Sequence, residues 1–373
     1  MHYFLIAGEA SGELHASALM HALRERDPEA RFTFLGGDLM AAEAGCAPVV
    51  HYRDMAFMGF VDVIMNLGQI RRNYRAAREA ISASGADCLI LIDYPSFNLD
   101  MAAFARKLGM PVFYFISPKV WAWKEYRVKT IRRLVDRMLC ILPFEVEFYH
   151  RHGMEVDYVG NPSVSEVKSR LDAAPALDEF LSAHSLDRRP IIALLPGSRK
   201  GEIKDNLPVM AEAVSSFPDF RPVIAGAPGL DTGFYSSLTS LPVLHDATYA
   251  LLRHCRAALV TSGTATLETA LAGVPQVVLY RSVGWKLSYE IMKHILKVRY
   301  VSLPNLIADE EIVPEMLLHL CTPDLVKAKL APLLDDTPER RVMLDGYRRM
   351  KDSLGDKDAP AEAARIIFDR LQN

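Results

Sequence analysis

Cysteine is scarce and unpaired in this chain. Its 373 residues include 5, at Cys46, Cys88, Cys140, Cys255 and Cys321, with no Cys-x-x-Cys spacing. An odd, scattered set excludes a disulfide frame and a thiolate zinc site, and reads as small core residues in a reducing compartment. No apolar run approaches the ~18 residues needed to span a bilayer. Tyr3 already stands in a first strand, leaving no room for a signal peptide, so a cytoplasmic protein is expected. Charge of one sign is not in excess: a net charge of −3 gives no reason to expect nucleic acid as a partner. Gly-x-Gly-x-x-Gly is absent, as is a turn closed by Gly-Lys-Ser/Thr, which excludes a dinucleotide fingerprint and the nucleotide P-loop. None of the 11 histidines pairs with a neighbour at ligand spacing, so no metal is expected.

What is present is an ordinary globular balance, 50% hydrophobic and 24% charged. The length is too great for one core, so two domains are expected. Apolar runs at 3–7, 32–35, 47–51, 88–92, 112–116, 138–142 and 156–159 read as strands, most of them separated by helical stretches. Gly160-Asn161-Pro162 closes this first half. A second series runs through 191–195, 221–225, 242–244, 258–261 and 276–280, and helices at 323–334, 338–353 and 361–371 end the chain. Strands that alternate with helices give parallel, doubly wound sheets. The expected fold class is therefore α/β with two such domains, at 1–162 and 163–354. The final helix, within 355–373, is placed to cross back onto the first.

In sheets of this kind, ligands sit at the carboxyl ends of the strands. Four stretches there carry chemistry. Ile191–Leu195 runs into Pro196-Gly197-Ser198-Arg199 and then a helix. Gly197 permits a sharp turn, the following amides point outward at a helix N-terminus, and Arg199 offers a planar fork of donors for phosphate. On its own this is also a common turn. Thr261-Ser262-Gly263-Thr264 delivers a second hydroxyl-rich turn to a helix, with Glu268 one turn in, placed to accept bonds from two ribose hydroxyls or simply to favour the helix dipole. Arg281 ends the next strand as a second cation, and Asn305 follows a proline in a fixed loop.

In the first half, four apolar residues run straight into Asp93. Partial burial there raises a carboxyl pKa and makes a better proton acceptor; capping the helix near Asn98 is the plainer alternative. Gly8-Glu9-Ala10-Ser11-Gly12-Glu13 is either a site of close sugar approach or a plain tight turn. Trp121 and Trp123, flanked by lysines, suit a sugar platform, a membrane headgroup level or a buried core equally. The Met/Phe-rich stretch at 55–65, with Phe57, Met58, Phe60 and Met65, precedes Arg71, Arg72, Arg75 and Arg78. Acyl chains below and anionic headgroups above would suit it, as would an ordinary helix with a solvated basic face. A second basic amphipathic segment lies at 285–297.

Taken in order, Gly8-Glu9-Ala10-Ser11-Gly12, Asp93-x-Pro95-x-Phe97-Asn98, Ser117-Pro118-x-Val120-Trp121-Ala122-Trp123, Leu142-Pro143-Phe144-Glu145, Leu194-Leu195-Pro196-Gly197-Ser198-Arg199, Ser262-Gly263-Thr264-Ala265-x-Leu267-Glu268 and Tyr300-Val301-Ser302-Leu303-Pro304-Asn305 resemble the lipid-A-disaccharide synthase family almost end to end. The resemblance implies a GT-B fold, two Rossmann-like domains facing a cleft. It implies a metal-independent glycosyltransferase without cofactor, joining UDP-2,3-diacylglucosamine to 2,3-diacylglucosamine 1-phosphate (lipid X) to give the β-(1→6) lipid A disaccharide 1-phosphate and UDP.

By the same resemblance Asp93 is the base. Arg199, Glu268 and Asn305 serve the UDP by that resemblance, and Gly197, Ser198, Ser262, Gly263, Thr264 and Arg281 join them from the turns and strand ends read above. Glu9, Ser11, Gly12, Asn98, Trp121 and Trp123 serve the acceptor, while Phe57, Met58, Phe60, Met65, Arg71 and Arg72 meet acyl chains or the cytoplasmic surface of the inner membrane, with peripheral association and a possible homodimer. The family often has Asp at the positions of Ser96 and Glu13. Ser96 is no base, so the burden falls on Asp93 alone. Two rivals stand beside this reading, a UDP-N-acetylglucosamine 2-epimerase on the same architecture and a non-catalytic lipid- or nucleotide-binding protein.

Overall fold

A computed structural model of the chain describes residues 1–55, 65–281 and 299–372, without the side chain of Trp123. The chain forms two compact units, Met1–Pro162 with Asp356–Asn373, and Ser163–Gly355.

Each unit is built on a six-stranded parallel sheet. In the first, the order is β2-β1-β3-β4-β5-β6, with β1 at His2–Ala7, β2 at Arg31–Leu35, β3 at Cys88–Ile92, β4 at Val112–Phe115, β5 at Arg137–Cys140 and β6 at Asp157–Tyr158. In the second, the order is β12-β11-β10-β7-β8-β9, with β7 at Ile191–Leu195, β8 at Arg221–Gly226, β9 at Val243–His245, β10 at Cys255–Thr261, β11 at Gln276–Tyr280 and β12 at Glu315–Leu317. The central strands β3, β4 and β7 are buried along their whole length. Helices on both faces cover them, which is why they read as unbroken apolar runs rather than as alternation. The last helix, Ala359–Gln372, joins the core of the first unit: Ala359, Ala363, Ala364 and Ile367 pack with Leu19 and Leu23 of the helix Ala10–Arg26.

Three sequence expectations shift. The run at 47–51 is not a strand. Val49 and Gly36 make backbone bonds that draw it alongside β2, but only one bridge, Gly36 to His51, forms; Pro48 has no N–H to give a ladder. β6 keeps only two residues of the expected four. β12, an edge strand of three residues, was not expected at all, because three residues are too few to show a period. The basic segment at 285–297 and Phe57, Met58 and Phe60 lie outside the described residues. No helix among the described residues is long and apolar enough to cross a membrane.

Candidate functional site

Strand order reverses once in each sheet, and the register at both reversals is informative. In the first unit β1 pairs with β2 on one side and β3 on the other, with Ala7 opposite Ile92. Gly8 and Asp93 therefore leave the sheet side by side. In the second unit β7 lies between β8 and β10, with Leu195 opposite Val260. Pro196-Gly197 and Thr261-Ser262 therefore leave that sheet side by side. These are the crevices where open α/β sheets bind ligands.

At the first crevice Asp93 and Tyr94 both take left-handed backbone angles, φ 42° and 45°. Such angles are uncommon for residues with a side chain and persist where surrounding bonds fix them. Here the Asp93 carbonyl accepts from the Tyr114 hydroxyl at 2.5 Å and from Asn98 Nδ2 at 2.8 Å, and Asn98 also donates to the Ile92 carbonyl at 3.1 Å. Tyr114 and Asn98 are fully buried. Burial raises the Asp93 carboxyl above its ordinary pKa, with the Lys119 ammonium and the Tyr94 amide pulling the other way. Tyr94 turns its ring over Gly8, where a Cβ would lie 2.3 Å from the ring; only glycine fits there. The Tyr94 hydroxyl donates to the Met55 carbonyl at 2.8 Å. Beside it opens a cavity of about 440 Å³, lined by Glu9, Met55, Ile70, Tyr74, Tyr94, Ser96 and Phe97 among others.

At the second crevice a cavity of about 250 Å³ is lined by Gly197, Ser198, Glu202, residues 225–228, Thr248, Thr261, Ser262, Gly263, Thr264 and Glu268, among others. Gly197 has φ 114°, and a Cβ on it would meet the Glu202 carboxylate at 2.8 Å. Glu202 accepts from the Ser198 amide at 3.3 Å and from Arg199 at 3.1 Å. The turn thus already gathers an anion where the helix Lys200–Val214 begins. Burial, and then the nearby Glu166, push the Glu268 carboxyl up to about 7. Thr261 Oγ1 is buried in the lining with no partner among the described residues.

Comparison with known proteins decides which chemistry this architecture serves. The profile of the family described as lipid-A-disaccharide synthetase matches residues 3–367. The chain belongs to that family. The lipid-A-disaccharide synthase of Myxococcus xanthus is 39% identical over 376 residues, covering 98% of this chain and 97% of that protein. That of Geobacter sulfurreducens is 37% identical over 377 residues, covering 98% and 96%. Among solved structures, the UDP-GlcNAc 2-epimerase from Neisseria meningitidis bound to UDP-GlcNAc has a TM-score of 0.68 at 12% identity over 100% of both chains. A calicheamicin glycosyltransferase has 0.61 at 18% identity, covering 100% of this chain and 98% of that one. These low identities speak to the fold alone, which is of GT-B type. The chain is a glycosyltransferase of lipid A synthesis.

Several residues expected at the site stand elsewhere. Asn98 is a buried strut beneath Asp93 and offers no surface to a sugar. Trp121 is buried, its Nε1 donating to Glu145 at 3.0 Å and its ring edge-on to Phe144, so it is no exposed platform. Asn305 is fully buried and consumed by its own loop: Nδ2 donates to the Val313 carbonyl and Glu315, while Oδ1 accepts from the Ile312 and Val313 amides. Gly12 is buried in the helix Ala10–Arg26, where an added Cβ would lie 3.7 Å from the Ala7 and Ile92 side chains. Ser11 is exposed. Glu13 is buried and accepts from the Leu39 amide at the start of the helix Asp38–Ala44. Arg199 and Arg281 are exposed and do not line the 250 Å³ cavity, although Arg199 borders it through Glu202. Met65 is 78% exposed. Arg71 and Arg72 point into different depressions, Arg71 with Arg75 and Arg78, Arg72 with Arg53, Asp54 and Gln69. Residues overlooked in the sequence are Tyr94, Tyr114, Glu202 and the loop 225–228. Their roles depend on backbone angles and register, and only Glu202, three residues after Arg199, left a local signal.

Proposed function

We propose that the enzyme transfers the diacylglucosaminyl group of UDP-2,3-diacylglucosamine to the 6-hydroxyl of lipid X by a single inverting displacement. The first unit holds the acceptor and the second holds the donor. The observation that carries this reading is the family match over nearly the whole chain, together with a strand-end carboxylate at one strand-order reversal and an amide-lined turn at the other.

The chemistry divides between the units. Asp93 accepts the proton of the acceptor hydroxyl as that oxygen attacks the anomeric carbon from the face opposite UDP. The bond to the diphosphate oxygen breaks, and its electron pair stays on UDP. The amides that open the helices Lys200–Val214 and Thr264–Leu271, with Arg199, meet that charge where it develops. Glu268 accepts from the ribose hydroxyls. The cavity beside Tyr94 takes part of the acceptor, its Met55, Ile70 and Phe97 wall being suited to an acyl chain. Association is peripheral, at the cytoplasmic face of the inner membrane. The test is purified protein with both lipids, assayed for UDP release and for a disaccharide 1-phosphate by mass spectrometry. Release of UDP without a disaccharide, or of the manno isomer from UDP-N-acetylglucosamine alone, would defeat the reading.

A further inference from the structure

The helix Leu67–Ser84 carries Arg71, Arg72, Arg75 and Arg78 against a single acid, Glu79. Arg71 and Arg72 lie just past its first turn, the end where a helix dipole favours anions rather than cations. Residues 71, 75 and 78 are spaced i, i+4, i+7 and share one face. With Ile70, Tyr74 and Glu79 they line a groove of about 480 Å³. Arg71 and Arg75 are exposed and have no carboxylate partner among the described residues. The Arg78 guanidinium lies over the rings of Tyr74 and Phe104, at 5.9 and 5.7 Å, which fixes its direction.

The groove does not stand alone. It shares Ile70 and Tyr74 with the cavity of about 440 Å³ beside Tyr94. Tyr74 stacks obliquely on Phe97 at 4.6 Å, and Phe97 meets Tyr94 at 5.9 Å. Its hydroxyl donates to Asp100, which holds the ring in place. One aromatic wall thus runs from the arginine row to the residue that follows Asp93. The acceptor carries its 6-hydroxyl and 1-phosphate on one pyranose ring, with acyl chains branching from positions 2 and 3; with that ring across the aromatic wall, a chain would enter the cavity of Met55, Ile70 and Phe97.

We propose that Arg71, Arg75 and Arg78 bind the phosphate monoester of the acceptor. This deepens the function proposed above and rests on it. Guanidinium forks suit phosphate oxygens, and three cations against one carboxylate leave the groove with the charge a dianion needs.

Arg71→Gln and Arg75→Gln, singly and together, test it, since neither side chain holds the fold. The acceptors are lipid X and its dephosphorylated counterpart. With lipid X, each substitution should raise KM about tenfold and leave kcat nearly unchanged, the loss of one charge-assisted bond. With the dephosphorylated acceptor, variant and wild type should have the same KM. An equal rise with both acceptors, or no rise with either, would overturn the site. A second arm measures sedimentation with vesicles of phosphatidylcholine and phosphatidylglycerol. If the variants leave such vesicles and the KM effect vanishes for a short-chain, monomeric lipid X analogue, the arginines serve bilayer headgroups and the proposal falls. If wild-type protein makes no disaccharide from either acceptor, it is the proposed function that fails, and this site with it.

Discussion

Asp93 occupies backbone angles that cost a residue with a side chain on the order of 1–2 kcal/mol, and two buried hydrogen-bonding groups, on Tyr114 and Asn98, hold it there. A carbonyl fixed from two directions fixes the peptide plane, and with it the direction of the carboxylate. If Asp93 is the base, Asp93→Asn lowers kcat by about 10²–10⁴-fold and leaves UDP affinity by calorimetry unchanged; lost UDP affinity would move Asp93 to the donor side. Burial raises its pKa, and a base works only when deprotonated. The acid limb of kcat should therefore lie above the ordinary aspartate value of about 4. A limb at or below that value would show that Asp93 is not the titrating group. Tyr114→Phe removes one oxygen and keeps the ring. It should cost about tenfold in kcat in the wild type and nothing further in an Asp93→Asn background, because its effect passes through Asp93. Equal losses in both backgrounds would reduce Tyr114 to a packing residue. Asp93 was legible in the sequence, because four apolar residues running into a carboxylate mark a strand end. Asn98 was placed among the acceptor contacts with the motif that carries the family resemblance, and it is a buried strut instead. Whether an amide near a strand end faces ligand or backbone depends on φ at residue 93, which no residue pattern encodes.

At the scale of elements, the helix Pro143–Arg151 shows how a motif that resembles an active-site signature can be architecture. Pro143 opens the helix, and Glu145 at its third position accepts from the Leu142 amide at 3.2 Å and from Trp121 Nε1 at 3.0 Å. One carboxylate thereby joins this helix to the short helix Val120–Trp123. Burial pushes Glu145 up to about 7, and the donors offset only part of it. Its folded value lies above the ~4.3 of an unfolded glutamate. The folded chain therefore holds this proton more tightly, and stability is fully present below about pH 4 and lost as pH rises through about 7. The loss is on the order of 3 kcal/mol. Glu145→Gln should remove this slope from the midpoint of urea unfolding between about pH 4 and 7; a slope that persists would assign it to another group. On the donor side, Arg199→Ala should weaken UDP binding about tenfold, the loss of a charge-assisted bond, and unchanged affinity would take Arg199 out of the site. The long central strands were legible because covering both faces of a parallel sheet demands unbroken apolar runs. β12 was not, and β6 was legible in place but not in length, since two or three residues at a sheet edge are specified by neighbours distant in sequence, as Glu315 is by the Val301 and Ser302 amides.

For the whole molecule, the path of the chain matters more than any one motif. It leaves the first unit at Pro162, builds the second, and returns at Asp356 to finish the first. The crossing is tight: Gly160, at φ 97°, lies against Lys357, whose carbonyl would be 2.5 Å from a Cβ there. Lys357 in turn donates to the Tyr158 carbonyl at 3.2 Å. The returning helix then buries Ile367 completely against the helix Ala10–Arg26, which begins at the Gly8–Gly12 turn beside Asp93. Residues from the end of the sequence therefore support the half that carries the proposed base, although the second unit lies between them in the chain. Ile367→Ala should cost about 2–4 kcal/mol, the removal of a buried branched side chain with partial collapse around it. That loss should fall on the first unit alone. Thermal unfolding should show an earlier transition that added UDP does not restore, while calorimetry at low temperature gives the wild-type UDP affinity. A variant whose UDP affinity falls in step with its stability would show that the returning helix supports the donor site as well.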